Sequence, residues 1–259
     1  MQQVDILKID VPQKKRSRVK DCVAEEKPLH LFLNGKSYAT IFCTPSNLKE
    51  LAVGHLIAEG IAKSIDEIQK VEVEEGVCRI RFSPTVDLQK RLQLQKHFER
   101  VILSACGSKG FFKPALRIPR VKNELTVEAQ MVLNCVNRLN TMAETFRKTG
   151  GVHAAAIFKA DGNCVAFAED IGRHNAVDKV LGMALIAKRD LGDCFISLTG
   201  RLTGDIVMKS ARMKVPILAS IAAAIDSGIA VARKANLTLI GFARGHRMNI
   251  YSAPERVVL

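Results

Sequence analysis

Within residues 169–179 the chain sets two carboxylates, a glycine, a guanidinium, an imidazole and a carboxamide almost side by side: Glu169-Asp170-Ile171-Gly172-Arg173-His174-Asn175, followed by Ala176-Val177-Asp178-Lys179. The chemistry these types could do together is anion binding. Gly172 lets backbone approach a ligand, a helix starting here offers unpaired N–H groups, and Arg173 adds a fork of donors. Any one of these residues would suit a well-capped helix with a solvated charged face. Together they read as a site. The elements that must position them are legible on either side. Val165-Ala166-Phe167 is an apolar strand, and Val177, Val180, Leu181, Ala184 and Leu185 recur at helical spacing, so the polar run caps a strand-to-helix turn.

A second chemistry belongs to Cys106, in Ser104-Ala105-Cys106-Gly107-Ser108-Lys109-Gly110. Small neighbours expose a thiol, and the Lys109 charge with glycine-flanked N–H groups would favour its thiolate. The seven cysteines are scattered, with no C-x-x-C pair, which argues against a disulfide framework or a structural zinc. Cys43, Cys78, Cys135, Cys164 and Cys194 read as small hydrophobes. His153, after Gly150-Gly151, either orients a substrate group or satisfies a buried carbonyl.

A chain of 259 residues, 47% hydrophobic, has enough material for two units. Residues 1–25 are expected to be a basic flexible arm, because Lys14, Lys15, Arg16, Arg18 and Lys20 lie there without apolar periodicity. The net charge of +13 suits nucleic acid, a membrane surface, a phosphate-bearing ligand or an acidic partner. Only 5% of residues are aromatic and none is Trp, so platforms for stacking bases are scarce and nucleic acid is not expected. No apolar run approaches the roughly 20 residues of a membrane span, and residues 1–20 lack a signal-peptide core. No membrane role and a cytoplasmic location are expected.

Residues 28–33 and 37–42 flank Asn34-Gly35 as a hairpin. Thr44 and Pro45 suit the N-cap and first position of a helix that ends at Gly60. His55 falls on its half-buried face. A second hairpin around Glu74-Glu75-Gly76 closes a small α+β unit, and residues 85–100 form a polar helical connector. Beyond a strand at Val101-Ile102-Leu103, one long amphipathic helix is expected over 126–148, stopped by Gly150-Gly151. Strands then alternate with helices: 152–158, 165–167, the helix after the polar run, 194–198, a helix over 204–213, 217–220, a helix over 227–236, and 237–242. This alternation predicts a layered α/β domain over 101–259, preceded by the small unit at 26–100.

Several motifs, in order, closely resemble the formate dehydrogenase accessory sulfurtransferase family, FdhD. They are Pro28-Leu29 with Asn34-Gly35; Thr44-Pro45, Glu50-Leu51-Ala52-Val53-Gly54 and Glu59-Gly60; Thr149-Gly150-Gly151-Val152-His153; the 169–179 run; Gly200-Arg201; and Gly241-Phe242-Ala243-Arg244-Gly245. The resemblance implies a core similar to the cytidine deaminase fold. It implies a protein that takes sulfur from a cysteine desulfurase as a persulfide and passes it to the molybdenum or tungsten bis(molybdopterin guanine dinucleotide) cofactor, its bound substrate, for formate dehydrogenase. It also implies cofactor binding by Phe242, Ala243, Arg244, Gly245, His246 and Arg247, with Arg173, His174 and Arg201 as further contacts. A homodimer is expected.

The family pattern at the thiol is C-x-x-C, and here Cys106 is followed by Lys109 in place of the second cysteine. One thiol suffices to carry sulfane sulfur; the second would allow its expulsion by disulfide formation. Two classes therefore stand, a sulfurtransferase acting through Cys106 and a cofactor-binding chaperone without sulfur transfer. A deaminase-like zinc hydrolase would need an H-x-E and a P-C-x-x-C. His174-Asn175-Ala176 and Gly200-Arg201-Leu202-Thr203-Gly204-Asp205 supply neither, so no metal is expected and His174 reads as a hydrogen-bonding group. Asp178 and Asp205 either read guanine N–H groups or pair with neighbouring cations, and the second role is the simpler.

Overall fold

The computed structural model describes residues 1–96 and 118–259. The expected strand at Val101-Ile102-Leu103 and the loop with Cys106 and Lys109 lie outside the described residues. Where a flexible arm was expected, β1 (Gln2–Asp10) and β2 (Lys15–Val23) pair antiparallel into a hairpin. The signal passed over was alternation: Val4, Ile6 and Val19 share one face, while Leu7 and Ile9 share the other with Arg18 and Arg16.

The small unit is a four-stranded sheet in the order β4-β3-β6-β5, built from β3 (Lys27–Leu33), β4 (Lys36–Cys43), β5 (Ile68–Glu74) and β6 (Val77–Phe82). Asn34 and Gly35, at φ 47 and 79, make the tight turn their types require. Helix α1 (Leu48–Ala58) covers this sheet with Leu51, Val53, Leu56 and Ile57, and α2 (Leu88–Lys96) follows.

The larger sheet has six strands in the order β13-β12-β11-β10-β8-β9. Before it come the short β7 (Val127–Glu128), α3 (Ala129–Met142) and α4 (Glu144–Thr149). The single helix expected over 126–148 is thus broken at Ala143, whose ψ of 75 leaves helical space. Glu169 accounts for the break, accepting the Thr145 and Phe146 N–H groups at the start of α4. Then follow β8 (His153–Lys159), β9 (Cys164–Asp170), α5 (Arg173–Ile186), β10 (Cys194–Leu198), α6 (Gly204–Arg212), β11 (Ile217–Ser220), α7 (Asp226–Ala235), β12 (Thr238–Arg244) and β13 (Arg247–Ser252). β14 (Val257–Val258) returns to pair with β7.

β10, β11 and β12 are parallel, and β8 runs antiparallel to both β9 and β10. Alternating side chains serve two layers. Ile157, Ile196, Leu198, Leu218 and Leu239 meet α5, α6 and α7 on one face; Phe158, Phe195, Ile217 and Ile240 meet α3 on the other. The result is the expected layered α/β architecture with a smaller α+β unit before it. Among the described residues no helix is long and apolar enough to cross a membrane.

Candidate functional site at the carboxyl edge of the large sheet

Because β9, β10, β11 and β12 run in one direction, their carboxyl ends Asp170, Leu198, Ser220 and Arg244 line one edge of the sheet, and His153 opens β8 at the same edge. Helix α5 starts three residues beyond this edge, and α6 and α7 each start six residues beyond it. Three helix N-termini, with their unpaired N–H groups and positive dipole ends, therefore lie on this side. The topology brings the 169–179 run, Gly200-Arg201 and the 242–247 segment to one edge of the sheet, although they are far apart in sequence.

The 169–179 run is mostly consumed by architecture. Lys179 and Asp170, both 0% exposed, form an ion pair at 2.7 Å. Lys179 Nζ also donates to the carbonyls of Thr44 at 3.1 Å and Glu169 at 3.2 Å. Asp170 accepts from the N–H groups of Thr44 and Gly172 and from Asn175 Nδ2, which also donates to the Phe42 carbonyl. Thr44 is not the N-cap of α1, which is Asn47; its Oγ1 instead accepts the Ile171 N–H at 3.2 Å. The side chain that looked like a cap is a clasp between the two sheets.

A second network, centred on the buried pair Asp178 and Lys209, adjoins the first. Lys209 Nζ donates to Asp178 Oδ1 and Oδ2 at 2.8 and 2.7 Å and pairs with Glu59 at 2.9 Å, while His55 Nδ1 lies 3.3 Å from Asp178 Oδ2. Burial alone would lower the Lys209 pKa, but Asp178 and Glu59 outweigh it and raise it above the ordinary value. Asp178 therefore pairs with a neighbouring cation, the simpler of its two roles. The missed signal was a lysine on the apolar face of α6, three residues after Ile206.

Helices α1 and α5 cross at glycines. A Cβ on Gly54 would stand 1.8 Å from the Asp178 carbonyl oxygen, and one on Gly182 would stand 1.9 Å from that of Glu50. No larger side chain fits at either position without separating the helices.

Five further residues belong to this side of the sheet: Arg173 and His174 at the start of α5, His153 at the start of β8, Arg201 in the turn after β10 and Asp205 at the start of α6. The stem of Arg173 packs over Gly200, where a Cβ would meet the Arg173 Cβ at 2.8 Å, which explains the glycine before Arg201. His174 Nε2 is buried with no hydrogen-bond partner among the described residues; burial, with Lys209 and Arg173 nearby, lowers its pKa to about 3, so the ring is neutral. His153 lies 3.3 Å from Thr199 Oγ1, and burial plus the Arg173 and Arg201 charges lower its pKa too. Asp205, at the start of α6, is pushed up by burial and by Glu59. Arg201 is exposed.

The 242–247 segment forms the end of β12 and the hairpin turn into β13. β12 continues to Arg244, and Gly245 at φ 61 with His246 turns the chain into β13. Phe242 takes a left-handed φ of 52 at a bulge, which buries Ala243 and leaves Arg244, Gly245, His246 and Arg247 exposed. The Arg244 guanidinium stands 5.5 Å from the Phe242 ring centroid.

Of the described cysteines, burial raises the pKa of Cys43 and Cys135 to about 11 and of Cys78 and Cys194 to about 12, and raises that of Cys164. None of these five presents a thiolate at neutral pH.

A profile of the FdhD/NarQ family matches residues 24–258. The chain is 32% identical over 249 residues to the sulfur carrier protein FdhD of Shouchella clausii, covering 93% of this chain and 92% of that one. It is 35% identical over 243 residues to the sulfur carrier protein FdhD of Saccharolobus solfataricus, covering 92% and 91%. A crystal structure from Desulfotalea psychrophila, provisionally named a formate dehydrogenase accessory protein, superposes with a TM-score of 0.79 at 25% identity, over 99% of this chain and 98% of that one.

Proposed function

Since the chain belongs to the FdhD/NarQ family, we propose that it is a sulfur carrier that serves the maturation of formate dehydrogenase. In this reading Cys106 accepts sulfane sulfur from a cysteine desulfurase as a persulfide and hands it to the bis(molybdopterin guanine dinucleotide) cofactor held as substrate, in the cytoplasm. The observation that carries it is the similarity to proteins named sulfur carriers along more than nine-tenths of the chain. The persulfide step is a transfer between sulfurs. The Cys106 thiolate attacks the terminal sulfur of the desulfurase persulfide, the S–S bond there breaks, and the desulfurase leaves as its thiolate.

The sheet edge supports the substrate half of the proposal. A pyrophosphate needs cations and N–H donors, which Arg173, Arg201, Arg244, Arg247 and the start of α5 supply. Neutral His174 offers an acceptor to a ligand N–H or S–H group. Four strand spacings separate β12 from β9, about 19 Å at 4.8 Å each. A ligand touching both Arg244 and Arg173 must therefore be extended, as a dinucleotide is. The division at residue 100 and the likeness of the core to the cytidine deaminase fold belong to the same reading, as does a homodimer.

The test is Cys106→Ala in the full chain. It should abolish activation of formate dehydrogenase while the melting curve stays unchanged, and mass spectrometry of the wild type after incubation with a desulfurase and cysteine should show one added sulfur on Cys106. Full activation by the variant would leave a cofactor chaperone in place of a sulfurtransferase.

A further inference from the structure

His174 and Asp178 stand four positions apart on α5 and therefore share one stripe of that helix. Asp178 is 1% exposed, and two basic groups meet its carboxylate. Lys209 of α6 reaches both oxygens, at 2.8 and 2.7 Å, and His55 of α1 reaches one at 3.3 Å. Glu59, at the end of α1, pairs with the same lysine at 2.9 Å. Tyr38 of β4 lies in the same field, its hydroxyl kept protonated by burial first and by Glu59 next.

The Nε2 atom of His174 is buried without a hydrogen-bond partner among the described residues. An imidazolium carries an N–H on both nitrogens, and a buried charged N–H without an acceptor is costly, so this geometry belongs to a neutral ring. Burial, then Lys209 and Arg173, exclude a proton from it, while Asp178 and Glu59 attract one. We infer that Lys209 is a positioning residue for the ligand site at the sheet edge: by occupying both oxygens of Asp178 it denies His174 a counter-ion, and so keeps Nε2 an acceptor for a ligand N–H group. The ligand contact rests on the function proposed above; the control of the proton does not. Without Lys209 the buried carboxylates of Asp178 and Glu59 have lost their shared cation. The His174 ring, on the same stripe as Asp178, then takes up a proton in its place.

Histidine-selective NMR of the full chain reads that proton directly, with His174→Gln to assign the resonance. In the wild type the His174 ring should stay neutral down to about pH 4. In Lys209→Met its midpoint should rise above about pH 5. In the double variant Lys209→Met/Asp178→Asn, which leaves no unpaired charge at position 178, the midpoint should fall back below that of the single variant. Guanosine, which brings N–H donors without phosphates, probes the ligand contact in the same spectra. It should bind the wild type, lose affinity roughly ten-fold in Lys209→Met below the new midpoint, and regain it in the double variant. A His174 ring that stays neutral in Lys209→Met, a proton taken by His55 alone, or equal midpoints in the single and double variants would overturn the inference. A titrating ring with guanosine affinity unmoved, or a wild type that does not bind guanosine, would overturn the ligand contact and with it the positioning role.

Discussion

At one end of the carboxyl edge Asp170, Asn175 and Lys179 give their hydrogen bonds to the chain itself; at the other Arg244, His246 and Arg247 stand in solvent. Both stretches are dense in charge and both looked like ligand contacts. What divides them is burial. A buried carboxylate or ammonium must be paired inside the protein, so it has little left for a ligand, whereas an exposed guanidinium keeps its donors available. In the first stretch the imidazole Nε2 of His174 is the atom left without a hydrogen-bond partner among the described residues.

The sharpest way to break this contrast is to remove a charge at each end. Lys179→Met leaves Asp170 buried without its cation and should cost about 3–5 kcal/mol of stability by denaturant unfolding; a loss no larger than that of a surface mutation would mean the clasp is not structural. Next in size is the acid response of His174. Its folded pKa lies near 3 against an ordinary 6.5, so below about pH 6.5 the unfolded chain binds a proton that the folded chain refuses. Stability should fall as pH drops from there toward 3, and His174→Gln should flatten that decline by about 3 kcal/mol at pH 4. Equal slopes for the two proteins would show the imidazole to be solvated in the fold.

Gly182→Ala should cost about 1–3 kcal/mol, because its Cβ strikes the backbone of α1 where nothing flexible can yield. Smaller still in stability terms, Arg244→Ala and Arg247→Ala should shift unfolding by no more than about 0.5 kcal/mol. The same two variants should weaken guanosine diphosphate binding roughly ten-fold by calorimetry, since each charge-assisted contact is worth on the order of 1.5–3 kcal/mol. Arg16→Ala should leave it unchanged. Equal affinity in all three variants would place the phosphates elsewhere.

Most elements of the large sheet could be read from the chain because its strands are short apolar runs bounded by turn residues, as at residues 194–198 and 217–220. The errors arose where a tertiary partner overrode a local signal. Thr44-Pro45 has the grammar of a helix start, but Asp170 and Ile171, distant in sequence, claim Thr44 first. The periodicity over 126–148 runs unbroken through Ala143, and only Glu169 arriving from β9 separates α3 from α4. At the site, the direction of the strands decided which motifs meet, and no spacing in the sequence encodes that. Lys209 and the glycines in mid-helix at 54 and 182 were visible as anomalies; their meaning needed the helices that face them.

The clasp also constrains the order of events as the chain leaves the ribosome. Its hydrogen bonds join residues 126 to 135 positions apart, Thr44 to Asp170 and to Lys179. The small sheet is synthesised early, yet the outer side of α1 has no cover until α5 emerges. The N-terminal third must therefore wait with an apolar helix uncovered while more than a hundred further residues are made. Contacts of such long range are slow to form, and the waiting species is the one most exposed to aggregation. The protein's yield in a cell should then depend less on the stability of the finished fold than on what shields α1 during that interval.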